Sequence, residues 1–221
     1  MNNAKYVVFD GMDGSGKGTQ LTLLEEKSHP DQVVFTREPG GPPLAEEVRK
    51  IIRDNPLAGQ STALFHFLMF WGAREESMHR RVMPALQSGK HVFSDRGDSS
   101  TYAFQLCGEE NEQLLPAFMY MRQLVFADSI RRRKPDLYVI FDVPAEVARE
   151  RALRDASRAQ THFDTRDLGY YERVRSGFKK FAKLAPVEFI DATRMPEEVH
   201  RSVMLLLAAK MIIPEYAFIA E

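Results

Sequence analysis

The clearest chemical pattern in this chain is a glycine-rich stretch near its start that contains a lysine. Residues 11–19 are Gly-Met-Asp-Gly-Ser-Gly-Lys-Gly-Thr. They follow an apolar run at 6–9 and precede leucines at helical spacing, which is the strand–turn–helix context of a phosphate-binding loop. Glycines let consecutive backbone N–H groups converge on a phosphate, and the helix N-terminus adds its dipole. The pattern predicts that the chain binds a nucleoside triphosphate.

Single residues of this loop have distinct predicted roles. We expect the triphosphate to be held by Gly11, Asp13, Gly14, Ser15, Gly16, Lys17, Gly18 and Thr19. Lys17 is expected to reach the β and γ oxygens as a point charge. Gly18 stands where such loops usually have Ser or Thr, so Thr19 would supply the hydroxyl. A carboxylate so close to phosphates is costly unless it binds a hydroxyl, a metal or an arginine, and Asp13 is therefore expected to be functional.

Composition fits one compact enzyme domain. The chain has 221 residues, 30 basic and 31 acidic, and a formal charge of −1, so no bulk field indicates nucleic acid or a membrane as partner. The single cysteine, Cys107, excludes an intrachain disulfide and suits a reducing compartment. With no signal peptide and no apolar run of about 18 residues, a cytoplasmic protein is predicted. The six histidines are scattered, so no protein-bound transition metal is expected.

Short apolar segments alternate with helical patterns along the chain. Strands are predicted at 6–9, 33–36, 91–94, 137–141 and 187–190, and helices at 17–28, 43–54, 62–88, 99–107, 112–132, 144–154, 168–184 and 196–213. This alternation predicts an α/β fold of the P-loop type, with a five-stranded parallel sheet and helices on both faces. We expect residues 1–221 to form a single domain, with its ligands at the carboxyl ends of the strands.

Several further motifs directly follow these strands or lie between them. In order they are GMDGSGKG, TREPGG, EEVRKII, LMFWGAR, SDRGDSSTYAFQ and KPDLYVIFDV. In this order and spacing, across nearly the whole chain, they resemble the thymidylate kinases of the bacterial-type branch. The resemblance implies transfer of the γ-phosphate of ATP to dTMP with Mg²⁺, and a homodimer formed through the helix at 62–88.

The resemblance also implies an acceptor site. Its residues would be Asp13, Glu38, Pro39, Arg49, Phe70, Arg74, Arg96, Ser100, Thr101 and Gln105. Arg96 would fork onto the acceptor phosphate, and Phe70 would stack on the pyrimidine. Asp95 and Thr19 would bind Mg²⁺, partly through water. From the residues alone, Arg49 and Arg96 can also form structural ion pairs, and the spacing of Phe70 favours a core position.

An arginine-rich segment at about 150–166 resembles the family's lid. Arginines brought in by lid closure would stabilise the charge on the transferring phosphoryl group. Arg154 and Arg158 are the expected catalytic arginines of this segment, because His162 occupies the position of the family's motif arginine. Other arginines of this polar helix can instead form a solvated face.

Two departures from the family lie beside the acceptor site. Gly97 stands where Tyr or His is common, and Phe104 replaces a tyrosine near the sugar. We expect Gly97 to open space near the 5-position of the base, which leaves dUMP or a 5-substituted dUMP such as 5-hydroxymethyl-dUMP as an alternative acceptor. Two further alternatives are an adenylate-kinase-like enzyme and a non-enzymatic nucleotide switch.

Overall fold

A computed structural model describes residues 3–126, 133–155 and 166–213 of the chain. The five strands are β1 Tyr6–Gly11, β2 Val33–Arg37, β3 His91–Asp95, β4 Leu137–Asp142 and β5 Val187–Asp191. They form one parallel sheet in the order β2-β3-β1-β4-β5. The predicted α/β fold with a five-stranded parallel sheet is therefore confirmed.

Strand β1 lies at the centre of the sheet and is buried along its whole length. Its residues Tyr6 to Phe9 form a continuous apolar run because both faces of the strand are covered, as in other parallel sheets. In the register, Phe9 is opposite Asp95 of β3, and Asp95 is in turn opposite Arg37 of β2. The carboxyl ends of three adjacent strands therefore meet at one edge, where the motifs that follow them are brought together.

Helices surround the sheet. They are α1 Lys17–Lys27, α2 Pro43–Arg53, α3 Ala63–Ser77, α4 Met83–Gln87, α5 Asp98–Ser100, α6 Leu115–Val125, α7 Ala145–Arg154, α8 Leu168–Phe181 and α9 Pro196–Ala209. Short 3₁₀ turns lie at Ala58–Gln60 and Glu112–Leu114. No helix in these ranges is long and apolar enough to span a membrane.

The segment predicted as a helix at 62–88 is helical without a gap over 63–87, but its hydrogen-bond pattern changes within it. After α3 a π-helical turn runs over Met78–Val82, and α4 follows. Pro84 has no N–H to donate to the preceding turn, and the N–H of Met83 bonds the carbonyl of Met78, five residues back. The segment predicted at 99–107 likewise consists of α5 and a π-helical stretch, Thr101–Gly108.

Two glycines let α8 pack closely against the π-helical stretch Thr101–Gly108. A Cβ on Gly108 would lie 2.8 Å from side-chain atoms of both Tyr170 and Val174, and a Cβ on Gly177 would lie 2.8 Å from the Cα of Ala103. Larger residues would force the two elements apart. This close approach fixes the position of the stretch that carries Phe104, Gln105 and the buried Cys107.

A buried carboxylate anchors the chain just after Arg96. Asp98 is fully buried and accepts hydrogen bonds from the hydroxyl of Tyr138 on β4 and from Nε of Arg122 on α6, both at 2.6 Å. Buried charges are stable only when they are paired and hydrogen-bonded in this way. The network ties the loop after β3 to the sheet and to α6.

Candidate active site

A cavity of about 640 Å³ lies at the carboxyl ends of β1, β2 and β3. Its phosphate-loop wall consists of residues 12–19, and Thr19 and Gly18 are exposed there. Gly14 and Gly16 have φ values of +79° and +82°, and a Cβ on Gly14 would lie 2.1 Å from the carbonyl oxygen of Ala148. Only glycine fits these positions of the turn, and α1 begins directly after it, at Lys17.

Lys17 and Asp95 contact each other through Nζ and Oδ1 in this cavity. Burial raises the pKa of Asp95, but Lys17 and Arg96 outweigh it and hold this pKa below the ordinary value. The Asp95 side chain is 37% exposed. Asp95 is therefore an ionised carboxylate with oxygen atoms that remain accessible from the cavity.

Arg96 has the largest set of polar contacts in the site. Its guanidinium donates to Asp13 Oδ1 at 2.6 Å, to Asp10 Oδ1 at 3.2 Å, and to Ser100 Oγ at 3.1 Å. Its backbone has φ +71°, a left-handed conformation that is strained for arginine. Ser94 stabilises this conformation by donating its hydroxyl to the Arg96 carbonyl at 2.8 Å. This strained backbone conformation places the Arg96 guanidinium among Asp10, Asp13 and Ser100.

Asp10 is a site residue that the sequence analysis did not identify. It is fully buried and accepts hydrogen bonds from Ser99 and Ser100 at 2.6 and 2.8 Å, in addition to Arg96. Burial raises its pKa, while Arg96 and the two hydroxyls oppose that shift. Its place at the end of an apolar strand, directly before the loop glycine Gly11, was the one signal available in the sequence.

Arg74 of α3 is held by a buried ion pair in the cavity wall. Nε donates to Glu38 Oε2 at 2.7 Å, and Nη2 donates to Thr101 Oγ1 at 3.0 Å. Burial raises the pKa of Glu38 despite this pairing. The remaining nitrogen, Nη1, is buried and has no hydrogen-bond partner among the residues that the structure describes. A guanidinium fixed on two sides therefore retains one nitrogen whose N–H groups are free.

The same wall contains four other predicted residues, Pro39, Arg49, Phe70 and Gln105. Phe70 is half-buried and lines the cavity, whereas its neighbours Phe67 and Trp71 belong to the core. Arg49 donates to the carbonyl of Pro39 at 3.0 Å. Burial, together with the nearby Arg53 and Arg37, lowers the pKa of Arg49 to about 10.

The expected lid arginines are not brought together with the cavity in the described part of the chain. Arg154 pairs with Glu150 at 2.7 Å, its side chain is 78% exposed, and it is not among the residues lining the cavity. Arg158 and His162 lie outside the described residues. Arg151, one turn earlier on α7, lines the cavity instead and donates to the carbonyl of Ala192 at 3.1 Å.

The two departures beside the acceptor site have different structural reasons. Phe104 packs its ring against the Arg96 guanidinium, 5.2 Å from ring centroid to Cζ, and so supports that side chain. A Cβ on Gly97 would lie 2.9 and 3.1 Å from the two methyl carbons of Val8. The first atom of a side chain at 97 would thus contact β1, while Gly97 itself lines the cavity. That this glycine opens space near the 5-position of the base stays a prediction.

No group of three or more His, Cys, Asp or Glu side chains among residues 3–126, 133–155 and 166–213 is arranged to hold a metal ion. The cavity instead combines a glycine-rich loop and its lysine with Arg96, Arg74 and Arg49 at the ends of parallel strands. This fold and this site define a P-loop kinase that acts on nucleotides.

Comparisons with known proteins identify the family. The family model for thymidylate kinase matches residues 9–203. The chain is 36% identical to thymidylate kinases of Pelotomaculum thermopropionicum, over 90% of this chain and 91% of that protein, and of Burkholderia vietnamiensis, over 95% and 100%. A crystal structure of thymidylate kinase from Ehrlichia chaffeensis matches with a TM-score of 0.72 at 29% identity, covering 92% of this chain and 98% of that one. The chain belongs to the thymidylate kinase family.

Proposed function

We propose that this protein transfers the γ-phosphate of ATP to dTMP, giving ADP and dTDP. The observation that carries the choice of acceptor is the unpartnered Nη1 of Arg74, a buried donor in the same cavity as Phe70 and Gln105. A carbonyl oxygen of a pyrimidine would satisfy this donor, while Phe70 stacks on the ring and Gln105 offers both a donor and an acceptor to the base edge. Cytoplasm is the compartment in which we expect the reaction.

Phosphate binding would use cations that are now paired with carboxylates. Arg96 can fork onto the acceptor phosphate, with Ser100 and Asp13 fixing its guanidinium, and Lys17 can reach the phosphates of the donor. In-line phosphoryl transfer requires mainly that the two substrates are positioned and that the charge on their phosphates is neutralised. Arg49 adds a third cation on the acceptor wall. Asp13, freed in part from Arg96, can accept a hydrogen bond from a sugar hydroxyl.

The residues present fit a magnesium ion that is shared with phosphates. Asp95 presents an ionised, partly exposed carboxylate, and Thr19 presents a hydroxyl on the same wall. Mg²⁺ usually takes one or two protein oxygens and completes its coordination with phosphates and water. When bound, the ion would neutralise charge on the donor phosphates. Arg151, Arg154 and Arg158 are the arginines we expect a lid at about 150–166 to supply.

The proposal is tested by incubating purified protein with ATP, Mg²⁺ and each nucleoside monophosphate in turn. We expect turnover of dTMP well above that of UMP and AMP, and Lys17→Ala should abolish it without lowering the unfolding temperature. Lys50→Ala, on the exposed face of α2, is the matched control for removing one lysine. Preferred turnover of AMP would favour an adenylate-kinase-like enzyme, and nucleotide binding without turnover would favour a switch.

We further propose a two-fold homodimer through α3 and α6. These helices contact each other and share an exposed apolar surface: Leu64, Phe65, Leu68, Met119, Tyr120 and Leu124. Contiguous apolar surface of this kind marks an interface in water. Light scattering should give the dimer mass at micromolar concentration. Leu68→Glu should give monomers, and Leu205→Glu on α9 should not.

A further inference from the structure

Among the residues that the structure describes, one cation of the cavity wall has neither an ion-pair nor a hydrogen-bond partner. The other wall cations that form ion pairs are Lys17 with Asp95, Arg74 with Glu38, and Arg96 with Asp13. Arg53, at the end of α2, is half-buried and lines the same cavity. It forms no ion pair and no hydrogen bond with any residue in the described ranges. A half-buried arginine in a cavity wall, with no protein group to accept its hydrogen bonds, is available to donate to an acceptor atom of a ligand.

The packing of α2 against α3 places Arg53 near the level of Phe70. A Cβ on Gly41, just before α2, would lie 3.6 Å from Oγ of Ser77 at the end of α3, and nine residues connect the end of α2 to the start of α3. The two helices contact each other and therefore run roughly antiparallel. At 1.5 Å per residue, Arg53 lies about 15 Å along α2 and Phe70 about 10 Å back from the end of α3. Because side chains lean toward the helix N-terminus, the Arg53 guanidinium is brought back toward Phe70.

Arg49, one turn before Arg53 on α2, lies at the phosphate end of the cavity. Arg49 is close enough to Asp95 for each to influence the pKa of the other, whereas Arg53 is not one of the main groups that shift the pKa of Asp95. Arg53 does repel Arg49 and contributes to the lowering of its pKa. Arg53 thus lies beyond the phosphate level, on the part of the wall that faces the nucleoside.

We infer that Arg53 is a specificity residue that donates a hydrogen bond to an oxygen-bearing substituent at the 5-position of the acceptor pyrimidine. The inference rests on the proposed function, in which Arg74 and Gln105 occupy the carbonyl and N3 edge of the base and the 5-position is left facing the wall. The methyl group of dTMP offers no lone pair. A hydroxymethyl or carboxyl group at this position would supply the acceptor that Arg53 lacks.

The test compares kcat/KM for dTMP, dUMP, 5-hydroxymethyl-dUMP and 5-carboxy-dUMP in the wild type, Arg53→Leu and Arg53→Lys. The wild type should prefer the two oxygen-bearing acceptors. Arg53→Leu should lower kcat/KM for these two by about 10- to 100-fold, mainly through KM, and change dTMP by less than about threefold. Arg53→Lys should retain part of the preference. Lys50→Leu removes a cation from the exposed face of the same helix and should change none of the four values.

Two results would overturn the inference. An equal loss for all four acceptors in Arg53→Leu would assign Arg53 to the phosphate they share. An unchanged ranking in Arg53→Leu, or in Arg53→Lys should the leucine variant fold poorly, would show that Arg53 does not select the base. In both cases dTMP turnover by the wild type leaves the proposed function intact. Failure of the wild type to bind any of the four nucleotides in calorimetry would overturn both proposals.

Discussion

Arg74 and Glu38 form an ion pair inside the protein, with Nε and Oε2 at 2.7 Å and only 2% and 4% of the side chains exposed. The pair joins the last turn of α3 to the loop that follows β2. Two further residues bond to this pair. Nη2 of Arg74 donates to Oγ1 of Thr101, and the hydroxyl of Tyr6 donates to Glu38 Oε1 at 3.4 Å. The position and the charge of Arg74, the proposed base-binding arginine, therefore depend on the buried carboxylate of Glu38.

Glu38→Ala should lower the free energy of unfolding by about 3–5 kcal/mol, because it leaves the Arg74 charge buried without its partner. Glu38→Gln keeps an oxygen acceptor for Nε and should lose less. Glu47→Ala, which removes the carboxylate from an exposed pair with Lys50, should change stability by under about 1 kcal/mol. Urea unfolding of the three variants checks this. Similar losses in Glu38→Ala and Glu47→Ala would contradict a structural role for the buried pair.

Substitutions at Arg96 separate the role of its guanidinium from the strain of its backbone. Both Arg96→Ala and Arg96→Gly should reduce kcat/KM for the acceptor by on the order of 10²-fold or more, through loss of a bidentate phosphate contact. Glycine tolerates a φ of +71° and alanine does not, so Arg96→Gly should be the more stable variant by about 1 kcal/mol. Steady-state kinetics and thermal unfolding check the two effects separately. Unchanged kinetics in either variant would make Arg96 a purely structural residue.

Gly97 and Val8 should be energetically coupled. Gly97→Ala places a methyl group 2.9 Å from a methyl of Val8 in a close-packed core, and should cost about 1–3 kcal/mol. In the double variant Val8→Ala/Gly97→Ala this cost should shrink, which a double-mutant cycle measures by urea unfolding. Gly72 on α3 is the control, because nothing lies within 4 Å of its Cβ position. Gly72→Ala should leave the protein equally stable or make it more stable. Additive losses at 8 and 97 would show that the contact is absent in solution.

Glu46 should make stability depend on pH. Arg37 holds the pKa of Glu46 below its ordinary value through two hydrogen bonds at 2.9 Å, and the N–H of Gly41 assists at 2.7 Å. An acid whose pKa is lowered by folding stabilises the protein above its unfolded-state pKa, and that contribution is lost as the pH falls through the folded-state pKa. Glu46→Gln should therefore destabilise the protein by up to about 1 kcal/mol at pH 7 and by little at pH 3. An equal effect at both pH values would exclude the ion pair as the cause.

The predicted strands match the observed ones to within one or two residues, because each is an apolar run bounded by polar or turn residues. The position of the site also follows from the sequence, since its motifs come directly after strands. The ends of helices were harder to predict. The π-helical turn after Ser77 precedes Pro84, in a segment whose apolar residues lie on several sides, and such a pattern does not show where the hydrogen bonding changes.

Residues whose importance comes from distant partners were not predictable. Asp98 resembles a surface acid in the sequence, and only the fold brings Arg122 and Tyr138 to its oxygens. Arg53 lies in a charged helix where most cations are solvated, and only the antiparallel packing of α2 on α3 turns it into the cavity. Conversely, Arg154 lies in the expected arginine-rich segment, yet its position on α7 directs it to Glu150 and to solvent.

The central place of β1 has a consequence for how the chain is made. Of the five strands of this sheet, the first to be synthesised is the middle one, β1, which pairs with β3 and β4. The N–H of Tyr6 is bonded by the side chain of Asp136, 130 residues further along the chain. Until β4 has been synthesised, the fully buried strand β1 has no complete set of neighbours, and contacts this distant in sequence form slowly. Nascent chains that end before β4 should therefore depend on chaperones to keep β1 from aggregating.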